Sequence, residues 1–263
     1  MSSAIRVKHV VYPESDGKPM GETDDHRNEM IRHIQMLEDY YHGQNVYVSG
    51  DLLVYYVEGD PRKCVVPDAF VVKGISPRSR RIYKIWAEGK VPDVVIETTS
   101  RKTRRKDTHV KPALYAQLGV KEYFLFDPHA EYLTPPLQGY RLAGDDFERI
   151  PADADGALDS RELQLRLIVN GRHLDFVRLD TGQRLLTRSE QVAHEAEARQ
   201  REAEARQRET EARQREAEAR QREAEARQRE VEARQRETEA RQAAEAEIAR
   251  LREELAHLRQ SLK

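Results

Sequence analysis

The chain has 263 residues, enough for one or two domains, and 35% of them are charged while only 6% are aromatic. Its formal net charge of −2 argues against a generally basic nucleic-acid-binding protein but leaves room for a local basic patch. The single Cys64 excludes an internal disulfide framework and a metal site built from several cysteines. No apolar run is long enough to cross a bilayer, and the N-terminus lacks an apolar signal core, so we expect a soluble cytoplasmic protein.

The chain changes composition near residue 188. Residues 1–187 have the mixture of apolar, polar and charged side chains that is typical of a globular domain. Residues 188–263 are almost wholly Ala, Glu, Arg and Gln, which are strong helix formers, and neither Gly nor Pro interrupts them. We therefore predict a globular domain over residues 1–187, followed by a long charged helix or coiled coil over residues 188–263.

The first predicted elements are a strand and a helix. The segment IRVKHVVYP, residues 5–13, alternates weakly and is consistent with a strand. Apolar residues three to four apart within residues 21–44 predict a helix, with Asp24 or Asp25 as its N-cap and Gly43 at its end.

Strand-like segments dominate the rest of the globular part. Two short strands flank Gly50-Asp51, and three more strand-like pieces lie within residues 138–187, one of them with the Asn-Gly pair of a tight hairpin. Between these regions we predict a strand at 64–74, a strand at 92–98, a loop at 99–106, a helix at 107–118 and a strand at 121–127. This order predicts a mixed α/β or α+β domain in which helices flank one central sheet.

The C-terminal segment repeats EARQREA with a period of seven from about residue 195 to residue 242. Glutamates recur four residues before arginines, an arrangement that stabilises a helix by about 0.2–0.5 kcal/mol per pair. Two interpretations of this Ala-rich part remain open: a weakly held coiled coil, or a solitary helix supported by its own ion pairs. Large apolar residues at coiled-coil seam positions occur only at the end of the chain, where they predict self-association into a homo-oligomer: Ile248, Leu251, Leu255, Leu258 and Leu262.

Acidic residues occur within apolar, strand-like segments of the globular part. Asp93 and Glu97 lie in PDVVIET and share one face of the predicted strand, and Asp68 follows Pro67 in VVPDAFVV. A carboxylate in such a position costs several kcal/mol, on the order of 3–5, unless it is paired or binds a cation. One interpretation is that Asp93 lies at the frayed start of its strand while Glu97 pairs with a nearby arginine.

The other interpretation is a metal site. Asp68, Asp93 and Glu97 at one end of a sheet would form an all-oxygen site that suits Mg²⁺ or Mn²⁺ rather than Zn²⁺. Lys111, early in the following helix, can point at the same site. Acids that hold a divalent cation beside a lysine are the chemistry of phosphodiester hydrolysis. Five cations between the strand and the helix, called the basic segment here, would bind the phosphate backbone of DNA: Arg101, Lys102, Arg104, Arg105 and Lys106.

The order of these motifs resembles a known family. VVPDAFVV, followed by PDVVIETTSRKTRRKDTHVKPALYAQLGVKEYFLFDP, is similar to a bacterial restriction-endonuclease-like family of the PD-(D/E)XK nuclease superfamily. The resemblance covers roughly residues 10–187, and it implies a restriction-endonuclease-like fold and a metal-dependent DNA endonuclease.

The resemblance also implies roles for single residues. Asp68 would be the Pro-Asp acid and Glu97 the acid of the (D/E)XK element. Thr99 stands where that element's lysine is expected, and Lys111 matches a lysine displaced to the following helix. Asp93 would be an additional or neighbouring acid. A glutamate of the first helix often completes such sites, and Glu29 is a better candidate than Glu22.

Three functions follow from this reading. The first is a Mg²⁺-dependent DNA endonuclease whose helical tail makes oligomers, since a dimer would place two sites against two strands. The second is a catalytically degenerate nuclease fold that acts as an interaction module, which Thr99 favours. The third is a nucleic-acid-binding protein that keeps the basic segment without cutting.

We interpret Tyr115 and Tyr123 as core aromatics and Asp107 as a helix cap.

Overall fold

The structure is a computed structural model that describes residues 10–15 and 23–261. Most of the predicted strand at residues 5–13 lies outside the described residues, as do Glu22 and Leu262. The chain divides into two compact units, Met1–Val192 and Ala193–Lys263. The first unit combines helices and sheets, so the predicted mixed α+β fold is confirmed.

Helix α1 (Asp24–Tyr40) lies within the predicted helical segment. Its N-cap is Thr23, whose side chain accepts a hydrogen bond from the His26 backbone N–H. The predicted capping residues Asp24 and Asp25 instead occupy the first turn, where their negative charges favour the positive end of the helix dipole.

A six-stranded sheet forms the centre of the globular unit. Its strands, in spatial order, are β1 (Val46–Ser49), β4 (Ala69–Lys73), β6 (Val94–Thr98), β7 (Glu122–Phe126), β8 (Leu137–Ala143) and β9 (Asp146–Arg149). All neighbouring strands are antiparallel except β6 and β7, which are parallel. Parallel neighbours need a crossover connection, and the basic segment with the helix after it provides one.

Smaller elements complete this unit. Two three-stranded sheets are formed by β2 (Val54–Tyr55), β3 (Cys64–Val65) and β5 (Tyr83–Lys84), and by β10 (Leu158–Ser160), β11 (Leu165–Asn170) and β12 (His173–Arg178). A one-turn helix, α2 (Ile85–Glu88), follows β5. The predicted hairpin joins β11 to β12 through Gly171 and Arg172, and Gly171 has the positive φ of 61° that a tight two-residue loop requires.

Two apolar clusters pack on the central sheet, and the alternation along β6 assigns its side chains to one or the other. Ile96 belongs to the cluster that includes Met36 and Leu37 of α1. Val95 belongs to the cluster that includes Tyr115 from the helix after the basic segment. Because alternate residues of a strand share a face, Glu97 lies on the same side as Val95.

The helix after the basic segment is irregular at its start. The backbone is helical from Arg104, passes through a π-helical turn at Lys106–Val110 and continues as α3 (Lys111–Leu118), so helical structure begins earlier than predicted. The π turn precedes Pro112, which has no N–H to donate to a carbonyl of the preceding turn. The Asp107 carbonyl accepts a hydrogen bond from the Tyr123 hydroxyl at 2.9 Å instead.

The long C-terminal helix is confirmed as α4 (Arg188–Ser261). It begins with a capping box, because the Glu190 N–H donates to Thr187 Oγ1 and the Thr187 N–H donates to the Glu190 carboxylate. From Val192 onward every side chain that the structure describes is exposed. No helix among the described residues is both long and apolar enough to span a membrane.

Candidate active site

Asp68 and Glu97 lie side by side on neighbouring antiparallel strands. Ala69 pairs with Ile96, so the next residues in register are Asp68, just before β4, and Glu97, near the end of β6. The Asp68 N–H lies 3.3 Å from Glu97 Oε2 and donates to it, and the Thr98 N–H donates to Asp68 Oδ2 at 2.7 Å. The sheet register therefore fixes the two carboxyl groups beside each other.

A close backbone contact holds Asp68 in place from the other side. A Cβ atom at Gly50 would lie 2.0 Å from the Asp68 carbonyl oxygen, and the Asp51 N–H donates to the Pro67 carbonyl at 2.9 Å. Residue 50 must therefore be glycine for the segment after β1 to pass this close to the start of β4.

Lys111 of α3 points at the same carboxyl groups. Its Nζ lies 2.8 Å from Glu97 Oε2 and 2.9 Å from Asp107 Oδ1. The Tyr115 hydroxyl donates to Glu97 Oε1 at 2.9 Å, so both oxygens of the buried Glu97 side chain have partners. The structure thus brings Asp68, Glu97 and Lys111 together.

Burial sets the protonation of this cluster. It raises the pKa of Glu97 to about 8, and the charges of Asp68 and Asp107 act in the same direction against the opposing effect of Lys111. Burial alone would lower the pKa of Lys111, but the negative charges of Glu97, Asp107 and Asp68 outweigh it and raise that pKa. Lys111 is therefore charged at neutral pH, and the carboxyl group of Glu97 titrates near neutral pH.

Three residues of the cluster were not predicted. His26 of α1 places Nε2 3.3 Å from Asp68 Oδ2. Asp107 is buried and pairs with Lys111 rather than capping the helix, and Tyr115 is a core aromatic whose hydroxyl also binds Glu97. The sequence did carry a signal for two of them, because Asp107, Lys111 and Tyr115 are spaced by four on one helical segment. It carried none for His26.

Asp93 lies outside this cluster, contrary to the prediction that it is a ligand. It precedes Glu97 by four residues along a strand, a separation of about 13 Å. Its Oδ1 lies 2.7 Å from Lys121 Nζ and its Oδ2 accepts the Lys73 N–H at 2.6 Å. The carboxylate is thus neutralised at the opposite end of the strand.

Glu29, the predicted contribution of the first helix, also has other partners. It binds His173 through a short contact, accepts the Leu174 N–H at 3.2 Å and lies 3.4 Å from His33 Nε2. These contacts join α1 to the hairpin of β11 and β12. Within the described residues it is His26, three positions earlier, that reaches Asp68.

All five cations of the basic segment are exposed. In the part of the chain that the structure describes, none of them pairs with a carboxylate, whereas most arginines elsewhere in the globular unit do. Arg104 lies over the ring of Tyr132, 5.5 Å from its centroid. The segment connects the strand that carries Glu97 to the helix that carries Lys111.

The donor set fits a divalent cation held by two carboxylates. Mg²⁺ is commonly bound through one or two carboxylates, with water and substrate phosphate as its other ligands. Asp68 and Glu97 supply such a pair. Among residues 10–15 and 23–261, no three or more His, Cys, Asp or Glu side chains are arranged to hold a metal ion. Of the three carboxylates that we predicted as ligands, Asp68 and Glu97 lie together, and Asp93 lies at the other end of its strand.

Comparisons with known proteins found one family model and similar solved structures. The model of the Uma2 family, described as "Putative restriction endonuclease", matches residues 15–175. Among solved structures, a similar chain is that of "a putative nuclease belonging to DUF820" from Anabaena variabilis, with 18% sequence identity and a TM-score of 0.42. That similarity covers 56% of this chain and 76% of the other. No curated protein matches. Since the family match spans more than half of the sequence, the chain belongs to the Uma2 family.

Proposed function

We propose that this protein is a Mg²⁺- or Mn²⁺-dependent endonuclease that hydrolyses phosphodiester bonds in DNA. The observation that carries the proposal is the convergence of Asp68 and Glu97 from neighbouring strands with Lys111 from α3, at 2.8 Å from Glu97. Family membership supports nuclease chemistry in general. The metal and the DNA substrate are the further steps of the proposal.

The residues have distinct roles in this proposal. Asp68 and Glu97 hold the cation, which when bound supplies a Lewis acid for the charge that develops on the phosphate. Lys111 keeps an ammonium group beside the reacting phosphate, where it orients the attacking water or stabilises negative charge. Asp107 and Glu97 hold Lys111 in place through their ion pairs with it.

The basic segment supplies contacts to the substrate backbone. Its cations are exposed and have no carboxylate partner among the described residues, so they can pair with phosphates without breaking an internal ion pair. Such contacts position nucleic acid without reading its sequence. This is the support for DNA as the binding partner.

Cleavage of a supercoiled plasmid with Mg²⁺ or Mn²⁺ tests the proposal. Asp68→Asn, Glu97→Gln and Lys111→Met should each lower the rate by about 100-fold or more, the scale expected when one charge-stabilising group is lost. Asp93→Asn is the matched control, because it removes an acid from the same strand segment outside the site. That control should cut like the unaltered protein.

Two outcomes would contradict the proposal. Cleavage that survives both Asp68→Asn and Glu97→Gln would show that another site, or a contaminant, cuts the plasmid. Binding of the plasmid without any metal-dependent cleavage would favour the alternative of a nuclease fold that binds nucleic acid but has lost catalysis.

We also infer that the protein self-associates through the end of α4. Ile248, Leu251 and Leu255 are each about half exposed on one helix, at the three- and four-residue spacing of a coiled-coil seam. A second copy of the same chain offers the matching apolar stripe.

A further inference from the structure

We propose that His26 is a positioning residue that fixes the orientation of the Asp68 carboxylate for cation binding. The inference deepens the proposed function and depends on it. It concerns a residue that the sequence did not single out, on an element that is distant from Asp68 along the chain.

The first observation is the place of His26 in the fold. It lies in the first turn of α1, only 4% exposed, with its backbone N–H bound to Thr23 Oγ1 at 3.2 Å. Both the helix cap and burial therefore restrict its position. Its Nε2 lies 3.3 Å from Asp68 Oδ2. A carboxylate oxygen can only accept a hydrogen bond, so the proposal places the proton of this contact on Nε2.

The second observation is that a backbone donor and His26 Nε2 lie near the same oxygen of Asp68. The Thr98 N–H donates to Oδ2 at 2.7 Å, and His26 Nε2 approaches the same atom. Within the described part of the chain, Oδ1 accepts no hydrogen bond, and the Asp68 side chain keeps 17% of its exposure. With both groups donating to Oδ2, as proposed, Oδ1 is left for a cation that arrives from solvent.

Two donors constrain the carboxylate more than one can. The terminal torsion of an aspartate is broad, so a single bond from the strand backbone leaves the group free to rock about it. A second donor from α1 removes that freedom. Partners that orient metal ligands in this way change metal affinity by about 10- to 100-fold when they are removed.

The test is titration of Mn²⁺ into the metal-stripped full-length protein, followed by calorimetry or by the Mn²⁺ electron spin resonance signal. His26→Leu removes the donor and should weaken Mn²⁺ binding by about 10- to 100-fold. His26→Gln places an amide donor where Nε2 stood and should retain most of the affinity. His26→Asn is too short to reach Asp68 and should lose it as His26→Leu does.

A control separates positioning from a general effect on α1. His33→Leu changes a buried histidine of the same helix that contacts Glu29 rather than Asp68, and it should leave Mn²⁺ affinity close to that of the unaltered protein. If His26→Leu does not fold, as judged by circular dichroism, the comparison of His26→Gln with His26→Asn still decides.

The possible failures are distinct. If the unaltered protein binds no Mn²⁺, the proposed function fails and this inference fails with it. If the unaltered protein binds Mn²⁺ and the Gln, Asn and folded Leu variants bind it equally well, the positioning role alone is overturned.

Discussion

Glu97 is a fully buried carboxyl group whose neighbours both stabilise and penalise its negative charge. Lys111 and the hydroxyl of Tyr115 stabilise the charge, while burial and the nearby Asp68 and Asp107 penalise it. The penalties prevail, so its pKa rises to about 8. A bound divalent cation would reverse that balance, since it adds positive charge where the protein alone has too little.

The raised pKa predicts a pH-dependent stability difference. Because Glu97 has a pKa of about 8 in the folded protein against an ordinary value of 4.5, the folded state binds the proton more tightly. The contribution of Glu97 to the free energy of unfolding should therefore decline from about pH 5 to about pH 8, by up to about 1.4 kcal/mol per pH unit. Glu97→Gln cannot titrate, so the variant should gain stability relative to the unaltered protein as pH rises.

Denaturant unfolding of Glu97→Gln and of the unaltered protein, in EDTA at about pH 5 and about pH 8, measures the difference in their free energies of unfolding. Asp93→Asn serves as a comparison, because Asp93 pairs with Lys121 away from the cluster. A stability difference between Glu97→Gln and the unaltered protein that stays constant, or that shrinks with rising pH, would show that Glu97 is not held protonated by its surroundings.

Sequence spacing alone anticipated part of this site at the residue scale. The Pro-Asp motif and the acid in an apolar strand identified Asp68 and Glu97, because each acid in such a strand needs a partner. Asp93 has the same local pattern but lies at the other end of its strand, and only the register shows which end meets Asp68. His26 depends on how α1 packs on the sheet, which no local pattern reveals.

At the element scale, a π turn at Lys106–Val110 leads directly into α3, which has Pro112 in its first turn. In the π register the N–H of residue 112 would pair with the carbonyl of residue 107, but Pro112 has no N–H. The hydroxyl of Tyr123, which lies on strand β7, donates a hydrogen bond to that carbonyl instead. The sequence predicted the helix and its end at Gly119, but an irregular turn of this kind depends on a tertiary partner.

The Ala-rich part of α4 has the properties of a solitary helix. Its ion pairs join Glu to Arg four residues later within the same helix, at 2.6 to 2.8 Å in five successive repeats. Its alanines occur two residues apart, as at Ala217 and Ala219, and so lie about 200° apart around the helix. They form two separate stripes instead of one seam.

The seam at the end of α4 does not continue into this part. Extending the spacing of Ile248 and Leu255 back by sevens reaches Arg241 and Arg234. Extending that of Leu251 reaches Ala244 and then Glu237 and Glu230. Charged residues at both seam positions oppose pairing of helices. Of the two interpretations that the sequence left open, the ion-paired solitary helix is the one that these contacts support.

Because the apolar seam is confined to the end of α4, self-association should depend on that end alone. Substituting Ser for Leu251 and Leu255 should convert an associating protein into a monomer, although more than 40 residues of repeat remain intact. Sedimentation velocity over a range of concentrations measures this, with Thr210→Ser and Thr238→Ser as a matched pair of changes in the repeat. An unaltered protein that is monomeric at every concentration would contradict the inferred association, and an unchanged oligomer in the Leu variant would place the interface elsewhere.

At the scale of the whole molecule, the fold of the globular unit brings residues that are distant in sequence together at one end of the central sheet. Antiparallel pairing of β4 with β6 sets Asp68 beside Glu97, and the crossover to the parallel strand β7 returns Lys111 to the same place. The sequence predicted the mixed fold, the long helix and the succession of helices and strands along the chain, because hydrophobic periodicity is local. It could not predict which strands are neighbours in the sheet or their register, because these depend on contacts between distant segments.

In the proposed site, Asp68 and Glu97 share one divalent cation beside Lys111. The most direct measurement is anomalous X-ray diffraction from crystals of the full-length protein grown with Mn²⁺. We expect one anomalous peak at about 2.1 Å from a carboxylate oxygen of both Asp68 and Glu97. A Mn²⁺ peak at Asp93 instead, or none at Asp68 and Glu97 at saturating Mn²⁺, would contradict it.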